Sequence, residues 1–207
     1  MAIETLLFDL GKVLIDFNLH PMLDQFAANS TRPAAELEEL MRDSALLHRF
    51  ESGGMSTDEY YEHVCEAAAL TMDKAAFWHA VESIFAPGLL VSEELLRALA
   101  ARYPLILVSN TNEIHARYVQ DNYRVFDYFT HKVLSYEVRS MKPDSVIYQK
   151  AIEVSGKSAE QLFFTDDRPE NIAAARRFGI HAHQFHSEAV LIEALQAAGV
   201  DVSFQLS

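Results

Sequence analysis

The sequence predicts a doubly wound, parallel α/β sheet with a helical bundle inserted after the first strand, and three observations predict it. The first is a set of short apolar runs, Thr5-Leu6-Leu7-Phe8, Leu105-Ile106-Leu107-Val108 and Leu162-Phe163-Phe164-Thr165, the pattern of strands covered by helices on both faces. The second is their alternation with amphipathic segments over residues 88–207, which argues for parallel strands joined by right-handed crossovers. The third is the texture of residues 17–87, where helical periodicity recurs and no convincing strand pattern does. The chain is therefore expected to divide into an α/β core, residues 1–16 plus 88–207, and a helical unit, residues 17–87.

The opening run ends abruptly in Asp9, with Gly11 two residues later. In open α/β sheets ligands gather beyond the carboxyl ends of the strands, so Asp9 stands where chemistry is expected; a turn or helix N-cap aspartate is the alternative. Leu14-Ile15-Asp16-Phe17 extends the apolar character. Within the helical unit Leu37, Leu40, Met41, Ser44 and Leu47 keep a helical spacing, and Gly53-Gly54 supply a flexible turn. Ser56 and Glu59 form an S-x-x-E capping box ahead of Tyr60, Val64 and Ala67. Phe77, Ala80, Val81 and Ile84 continue the periodicity until Pro87-Gly88 stops it.

Ser92 caps a helix through Leu95, Leu96 and Leu99. The second strand closes on Ser109-Asn110-Thr111-Asn112, and a helix is expected over residues 113–122. Lys132-Val133-Leu134-Ser135 is a weaker strand candidate. Met141-Lys142-Pro143-Asp144 is read as opening a helix, with Pro143 near its start and Gly156 at its end. The strand ending at Thr165 closes on Asp166-Asp167. Residues 169–178 are expected to be helical, stopped by Gly179; His181 to Phe185 forms a fifth strand and residues 188–198 a last helix.

The chain has 207 residues, half of them hydrophobic, enough for a sizeable core. A formal charge of −13 argues against a nucleic-acid or anionic-membrane partner, yet leaves room for a small phosphorylated metabolite held by a few local cations. No apolar run has the length of a membrane span, and the N-terminus lacks the basic region of a secretory leader. Cys65 is the single cysteine, so no intramolecular disulfide forms; it reads as a buried small hydrophobe in a reducing, cytoplasmic setting. A monomer or a homodimer is expected.

Polar residues recur where the apolar runs end: Asp9, Ser109, Lys142, then Asp166 and Asp167. In a parallel sheet these ends share one edge. A carboxylate nucleophile, a hydroxyl, a fixed cation and an acidic pair are what transfer of an anionic group through a covalent intermediate requires. Carboxylates repel a phosphate dianion, and a hard divalent cation such as Mg²⁺ with oxygen ligands offsets that repulsion. Lys142 adds positive charge, while the Ser109 hydroxyl and the Asn110 backbone N–H can hold phosphate oxygens.

The set Phe8-Asp9-Leu10-Gly11-Lys12-Val13-Leu14, Val108-Ser109-Asn110, Met141-Lys142-Pro143 and Phe164-Thr165-Asp166-Asp167-Arg168-Pro169-Glu170-Asn171-Ile172 resembles, in order and spacing, the four motifs of the haloacid dehalogenase superfamily. The resemblance frames nearly the whole chain. It implies a Rossmann-like core, a helical cap, and hydrolysis of a phosphate ester through an aspartyl-phosphate on Asp9. It also implies that Ser109 and Lys142 hold the transferring group, that Mg²⁺ is bound by Asp9, Asp166, Asp167 and the Gly11 carbonyl, and that Asn171 orients the metal carboxylates. The stretches around Ser109 and Lys142 look closest to the subgroup of the bacterial α-D-glucose-1-phosphate phosphatases.

One departure from that family stands out. Its phosphatases usually carry a second Asp two residues after the nucleophile, for general acid–base work; this chain has Gly11. A sugar 1-phosphate, whose anomeric leaving group is comparatively acidic, would reduce the need. Alternatively a cap residue or water substitutes, with His20 and His48 the candidates, or the protein is a poor catalyst. Two other readings remain: a metal-independent 2-haloacid dehalogenase, which leaves the Asp166-Asp167 pair without a cation to bind, and a non-catalytic sensor that retains the pocket at a cost in buried charge. His181 and His183 alternate as a strand pair without a third ligand. Arg168 reads as a local ion-pair or turn residue, and Phe77, Trp78 and Phe85 read as cap core, where an aromatic can also touch substrate.

Overall fold

The protein is described by a computed structural model that covers residues 2–42 and 45–202. Five parallel strands, β1 (Thr5–Phe8), β2 (Leu105–Ser109), β3 (Phe129–Leu134), β4 (Leu162–Asp166) and β5 (His181–Gln184), form one sheet in the order β3-β2-β1-β4-β5. The helices are α1 (His20–Ala28), α2 (Ala34–Arg42), α3 (Ala45–Glu51), α4 (Thr57–Ala67), α5 (Lys74–Glu82), α6 (Glu93–Ala100), α7 (Glu113–Asn122), α8 (Ser135–Val138), α9 (Ser145–Ser155), α10 (Pro169–Arg177) and α11 (Glu188–Ala197). No helix among the described residues is long and apolar enough to cross a membrane.

The strand period of two sorts side chains onto two covered faces. Leu6 and Phe8 pack with Leu105, Leu107 and Phe163 beneath α6, α7 and α11, whereas Leu7 packs with Ile106, Val108 and Phe164 beneath α9 and α10. Strand β1 is central, pairing Phe8 with Leu107 on one side and with Thr165 on the other. One residue further along, Asp9 therefore lies between the ends of β2 and β4.

Helices α1 to α5 gather a separate apolar cluster around Phe26, Leu37, Val64 and Phe77. The two segments linking it to the sheet run side by side: Phe17 and Phe85 form an antiparallel bridge, the Asn18 N–H donates to Ile84 O (2.7 Å) and the Ala86 N–H to Asp16 O (3.0 Å). This pairing explains why α5 stops at Glu82 rather than at Pro87-Gly88: Ile84 and Phe85 are drawn into the pairing with the other linker. The Ser56–Glu59 capping box forms as the spacing predicts.

Three further expectations need correction. The third strand spans 129–134 rather than starting at Lys132, because it is an edge strand whose residues Thr130, His131 and Lys132 face solvent. Pro143 lies outside helix α9, in a turn with a cis Lys142–Pro143 bond, and Asp144 precedes the first helical residue. Cys65 is only half-buried. Ser44, read into a helical spacing, falls outside the described residues.

The turn after α3 brings its backbone against that of the sheet domain. Gly53 has φ +69°, and a Cβ there would stand 2.1 Å from Tyr136 O on α8. Gly156 has a similar φ of +64° but open space around it, so it separates the two costs. Gly53→Ala is expected to destabilise by about 1–3 kcal/mol more than Gly156→Ala, as an overpacked contact does, read as the difference in thermal midpoint between the variants.

Candidate active site

Strand β1 is too short and too deeply buried to carry Asp9 to solvent. The residue is 8% exposed, its N–H donates to Thr165 O (3.0 Å), and its Oδ1 accepts the Leu10 N–H (2.7 Å). The Lys142 ammonium, 1% exposed in its side chain, reaches the same Oδ1 at 2.7 Å and Asp166 Oδ2 at 2.6 Å, and donates to Val108 O at 2.8 Å. All three ammonium protons thus have acceptors at the ends of three neighbouring strands. Asp9 Oδ2 makes no hydrogen bond with the described residues.

Lys142 is held from both sides of its backbone by one carboxamide: Asn110 Nδ2 donates to Lys142 O (2.8 Å) and the Lys142 N–H donates to Asn110 Oδ1 (2.7 Å). The Asn110 side chain therefore fixes the turn that aims Lys142. Ser109 is buried beside it, with only a long contact from Oγ to Asn110 O (3.4 Å).

Asp166 accepts from Arg168 N at Oδ1 (2.9 Å) and from Asn171 Nδ2 at both oxygens (2.9 and 3.0 Å). Asn171 sits in the first turn of α10, where an Asn can reach back to the strand end; its own carbonyl is held in place by Tyr148 Oη (2.9 Å). Gln184 Nε2 donates to Asp167 O (2.9 Å).

Carboxylate oxygens of Asp9, Asp166 and Asp167 lie within 4.8 Å of one another, and this is the one such cluster of potential metal ligands among the described residues. Burial pushes the Asp9 carboxyl up to about 8, Lys142 pulls it down and Asp166 adds to the rise. Burial would also raise Asp166, yet Lys142, Arg168 N and Asn171 hold it below the usual carboxylate range. Asp167 is raised by burial and then by Asp166. Lys142 is raised in spite of burial, by the charges of Asp9 and Asp166. Three carboxyl groups around one ammonium form a cluster of hard oxygen donors that carries excess negative charge once ionised, which fits a small divalent cation.

Gly11 follows on the floor of an adjacent cavity of about 300 Å³, which Leu10, Ser109, Asn110, His115, Arg168 and residues of the helical unit also line. Phe17 occupies the space a side chain at position 11 would need: a Cβ would meet its ring at 2.9 Å. The acid missing from the sequence thus has no room without a shift of Phe17. Phe85 lines the same cavity, as do Phe50 and Tyr60, against which Phe77 and Trp78 pack in an aromatic cluster.

The histidine candidates fare differently. His20 is exposed at the start of α1 and lines neither cavity at the strand ends, and His48 is exposed on the rim of a second one. His181 is exposed and His183 partly buried, and neither belongs to a metal-ligand cluster among the described residues. Arg168 pairs with Glu170 and lines both cavities.

Sequence reasoning missed two groups in the cavity wall. His115 packs its ring edge-on to Phe85 (5.1 Å), meets Asn112 Nδ2 with Nδ1 (3.0 Å) and Val81 O with Nε2 (3.3 Å), and burial lowers its pKa to about 4. It is a neutral imidazole linking α7 to α5. Glu51, at the end of α3, lines both cavities. Helical periodicity shows which residues share a face but not which face meets the sheet, so no sequence signal marks either.

Known proteins resemble this chain in sequence and in fold. Residues 3–179 match the family profile described as a haloacid dehalogenase-like hydrolase. A D-ribitol-5-phosphate phosphatase from Bacteroides thetaiotaomicron is 23% identical over 195 residues, covering 88% of this chain and 91% of that protein. A HAD family enzyme from the same species superposes with a TM-score of 0.82 at 26% identity, covering 90% of this chain and 95% of that one. Its complex with magnesium and inorganic phosphate gives a TM-score of 0.80 at 28% identity, covering 90% and 96%. A HAD-like family hydrolase from Porphyromonas gingivalis gives 0.78 at 26% identity, covering 95% and 98%.

Proposed function

The chain belongs to the haloacid dehalogenase-like hydrolases, and from that premise we propose that it is a magnesium-dependent phosphatase of a small sugar or polyol phosphate. The observation that carries the reading is the junction of Asp9, Lys142 and Asp166 at the central strand ends, with Asp167 completing three converging carboxylates. A phosphatase relative and a structural neighbour holding magnesium and phosphate support it.

In this reading Asp9 is the nucleophile. Its Oδ1 is fixed by Leu10 N and Lys142, which leaves Oδ2 to attack phosphorus and form the aspartyl-phosphate. Lys142 compensates charge on the transferring phosphoryl group, and the Ser109 hydroxyl and Asn110 backbone N–H hold its oxygens. Asp9, Asp166, Asp167 and the Gly11 carbonyl would hold Mg²⁺, which when bound supplies positive charge to the phosphate. Asn171 orients Asp166. The helical unit, residues 17–87, acts as the cap that closes over the substrate and selects it.

Glucose 1-phosphate is the substrate that the resemblance and the absent acid at Gly11 favour; the named relative acts on ribitol 5-phosphate. The test is hydrolysis of both, and of an aryl phosphate, with Mg²⁺ and with chelator. Mg²⁺-dependent release of phosphate is expected. Silence on every phosphate would refute the phosphatase, and chloroacetate turnover that survives chelation would establish a dehalogenase instead.

A further inference from the structure

We propose that Glu51, on the helical unit, is the proton-transfer residue of this site and supplies the carboxyl that Gly11 lacks; the proposal rests on the phosphatase reading above. Two cavities flank the strand ends. One of about 300 Å³ holds Gly11 and Ser109 in its wall, the other of about 310 Å³ holds Lys142 and Asn110, and Glu51 lines both. It is thus the acidic side chain of the helical unit that shares a cavity wall both with Leu10-Gly11, the turn just past the nucleophile, and with the phosphate-holding turn.

Its position is built rather than incidental. Ser135 Oγ, just past the end of β3, lies 2.6 Å from Glu51 O and accepts the Thr111 N–H (2.9 Å), so the last residue of α3 is tied to the loop that follows Ser109. Two residues on, Gly53 lies against the Tyr136 backbone so closely that no Cβ fits. The backbone beneath Glu51 is therefore registered to the sheet domain, as a group acting on a substrate held there must be.

The Glu51 carboxyl makes no hydrogen bond or ion pair with the described residues. The charged and titratable groups that share its cavities are Arg42 from α2, His48 on its own helix, Tyr60 from α4, His115 from α7, Lys142 and Asp144 from the turn before α9, and Arg168 from the loop after β4. Arg42 is paired with Glu38 and Arg168 with Glu170, so neither cation is committed to Glu51. Burial raises the Glu51 carboxyl to about 7, with Arg168 pulling the other way. Near neutral pH both its acid and its base forms are present, which suits a group that must give a proton and then take one. His115 cannot do this, being neutral with both ring nitrogens engaged.

The two half-reactions then balance. Asp9 Oδ2 bonds to phosphorus as the ester P–O bond breaks, and the leaving oxygen takes the Glu51 proton to depart as an alcohol. In the second half water attacks the aspartyl-phosphate, Glu51 carboxylate takes the water proton, and the P–O bond to Asp9 breaks. Inorganic phosphate leaves, with Asp9 ionised and Glu51 again protonated.

The experiment compares ribitol 5-phosphate, whose leaving group needs a proton, with p-nitrophenyl phosphate, whose phenolate leaves without one, both with Mg²⁺. Glu51→Gln is expected to lower kcat/KM for the alkyl ester by roughly 10²-fold or more, with a much smaller loss for the aryl ester, which also certifies the fold. In the wild type the alkyl rate should fall as pH rises through about 7, and the aryl rate should not fall with it. Equal losses on the two esters, or an alkyl rate with no such limb, would overturn the role of Glu51 and leave the phosphatase reading intact. A wild type that turns over neither ester overturns the role of Glu51, and one that is silent on glucose 1-phosphate as well overturns the phosphatase reading with it. If Glu51→Gln does not fold, the two wild-type pH profiles decide.

Discussion

Asp9→Asn is expected to bring phosphate-ester turnover to the detection limit while leaving the fold in place. The substitution is nearly isosteric. The amide carbonyl oxygen can still accept the Leu10 N–H and the Lys142 ammonium, as Asp9 Oδ1 does at 2.7 Å in each case. What changes is the free oxygen, replaced by an amide nitrogen that cannot attack phosphorus. Stability should move the opposite way from activity. The folded carboxyl is raised to about 8 by burial, above its usual value near 3.9, so the folded state binds the proton more tightly than the unfolded one. Such a group costs nothing below about pH 4 and an increasing amount as pH rises toward 8. In chelator, the Asp9→Asn variant should therefore melt at least as high as wild type at pH 8, with the gap closing at pH 5. Thermal scans at both pH values, beside a phosphate-release assay, check both halves; retained turnover would remove Asp9 from the mechanism.

The parts of this molecule that can be read without a structure are those in which local pattern and tertiary role coincide. β1, β2 and β4 are buried on both faces, so their apolar runs are continuous and announce a parallel sheet. Because parallel strands put their carboxyl ends on one edge, Asp9, Ser109 and Asp166 are brought together by topology alone. β3 is harder, since an edge strand keeps polar side chains on its open side, and Thr130 to Lys132 break the apolar run. Pro143 misleads for a different reason. Proline is at home in the first turn of a helix, but here the turn before α9 is bound to Asn110 across the sheet edge, a partner 32 residues away. Glu51 lies beyond the reach of sequence pattern because its place depends on two contacts with no sequence signature, the Ser135–Glu51 hydrogen bond and the Gly53–Tyr136 approach. The glycine pair that reads as a loose turn is, at Gly53, a docking point.

Lys142→Met should be the most destabilising change in the site, and the loss should depend on pH and on magnesium. Methionine matches the stem of the side chain and so preserves packing, but it removes the sole cation that contacts both Asp9 and Asp166 among the described residues. Removing one partner of a buried charge cluster costs about 3–5 kcal/mol, because the remaining charges are left in a low-dielectric interior. Here Asp9 and Asp166 would face each other with only the Asn171 amide and backbone N–H donors for support. Protonating a carboxyl relieves that repulsion, and the Asp9 carboxyl, already raised to about 8 beside Lys142, rises further without it, so the loss should be largest at high pH and shrink as pH falls. A divalent cation relieves it too, and one that binds only the folded state stabilises by mass action, so Mg²⁺ should raise the thermal midpoint of the variant more than that of the wild type. Activity should stay lost at saturating Mg²⁺, since in the proposed mechanism Lys142 also compensates charge on the phosphoryl group during transfer. A midpoint in chelator at pH 8 equal to that of wild type would mean that the carboxylates are not both ionised in the resting site. In that case Lys142 would owe its burial to Val108 O and to one carboxylate rather than to the pair.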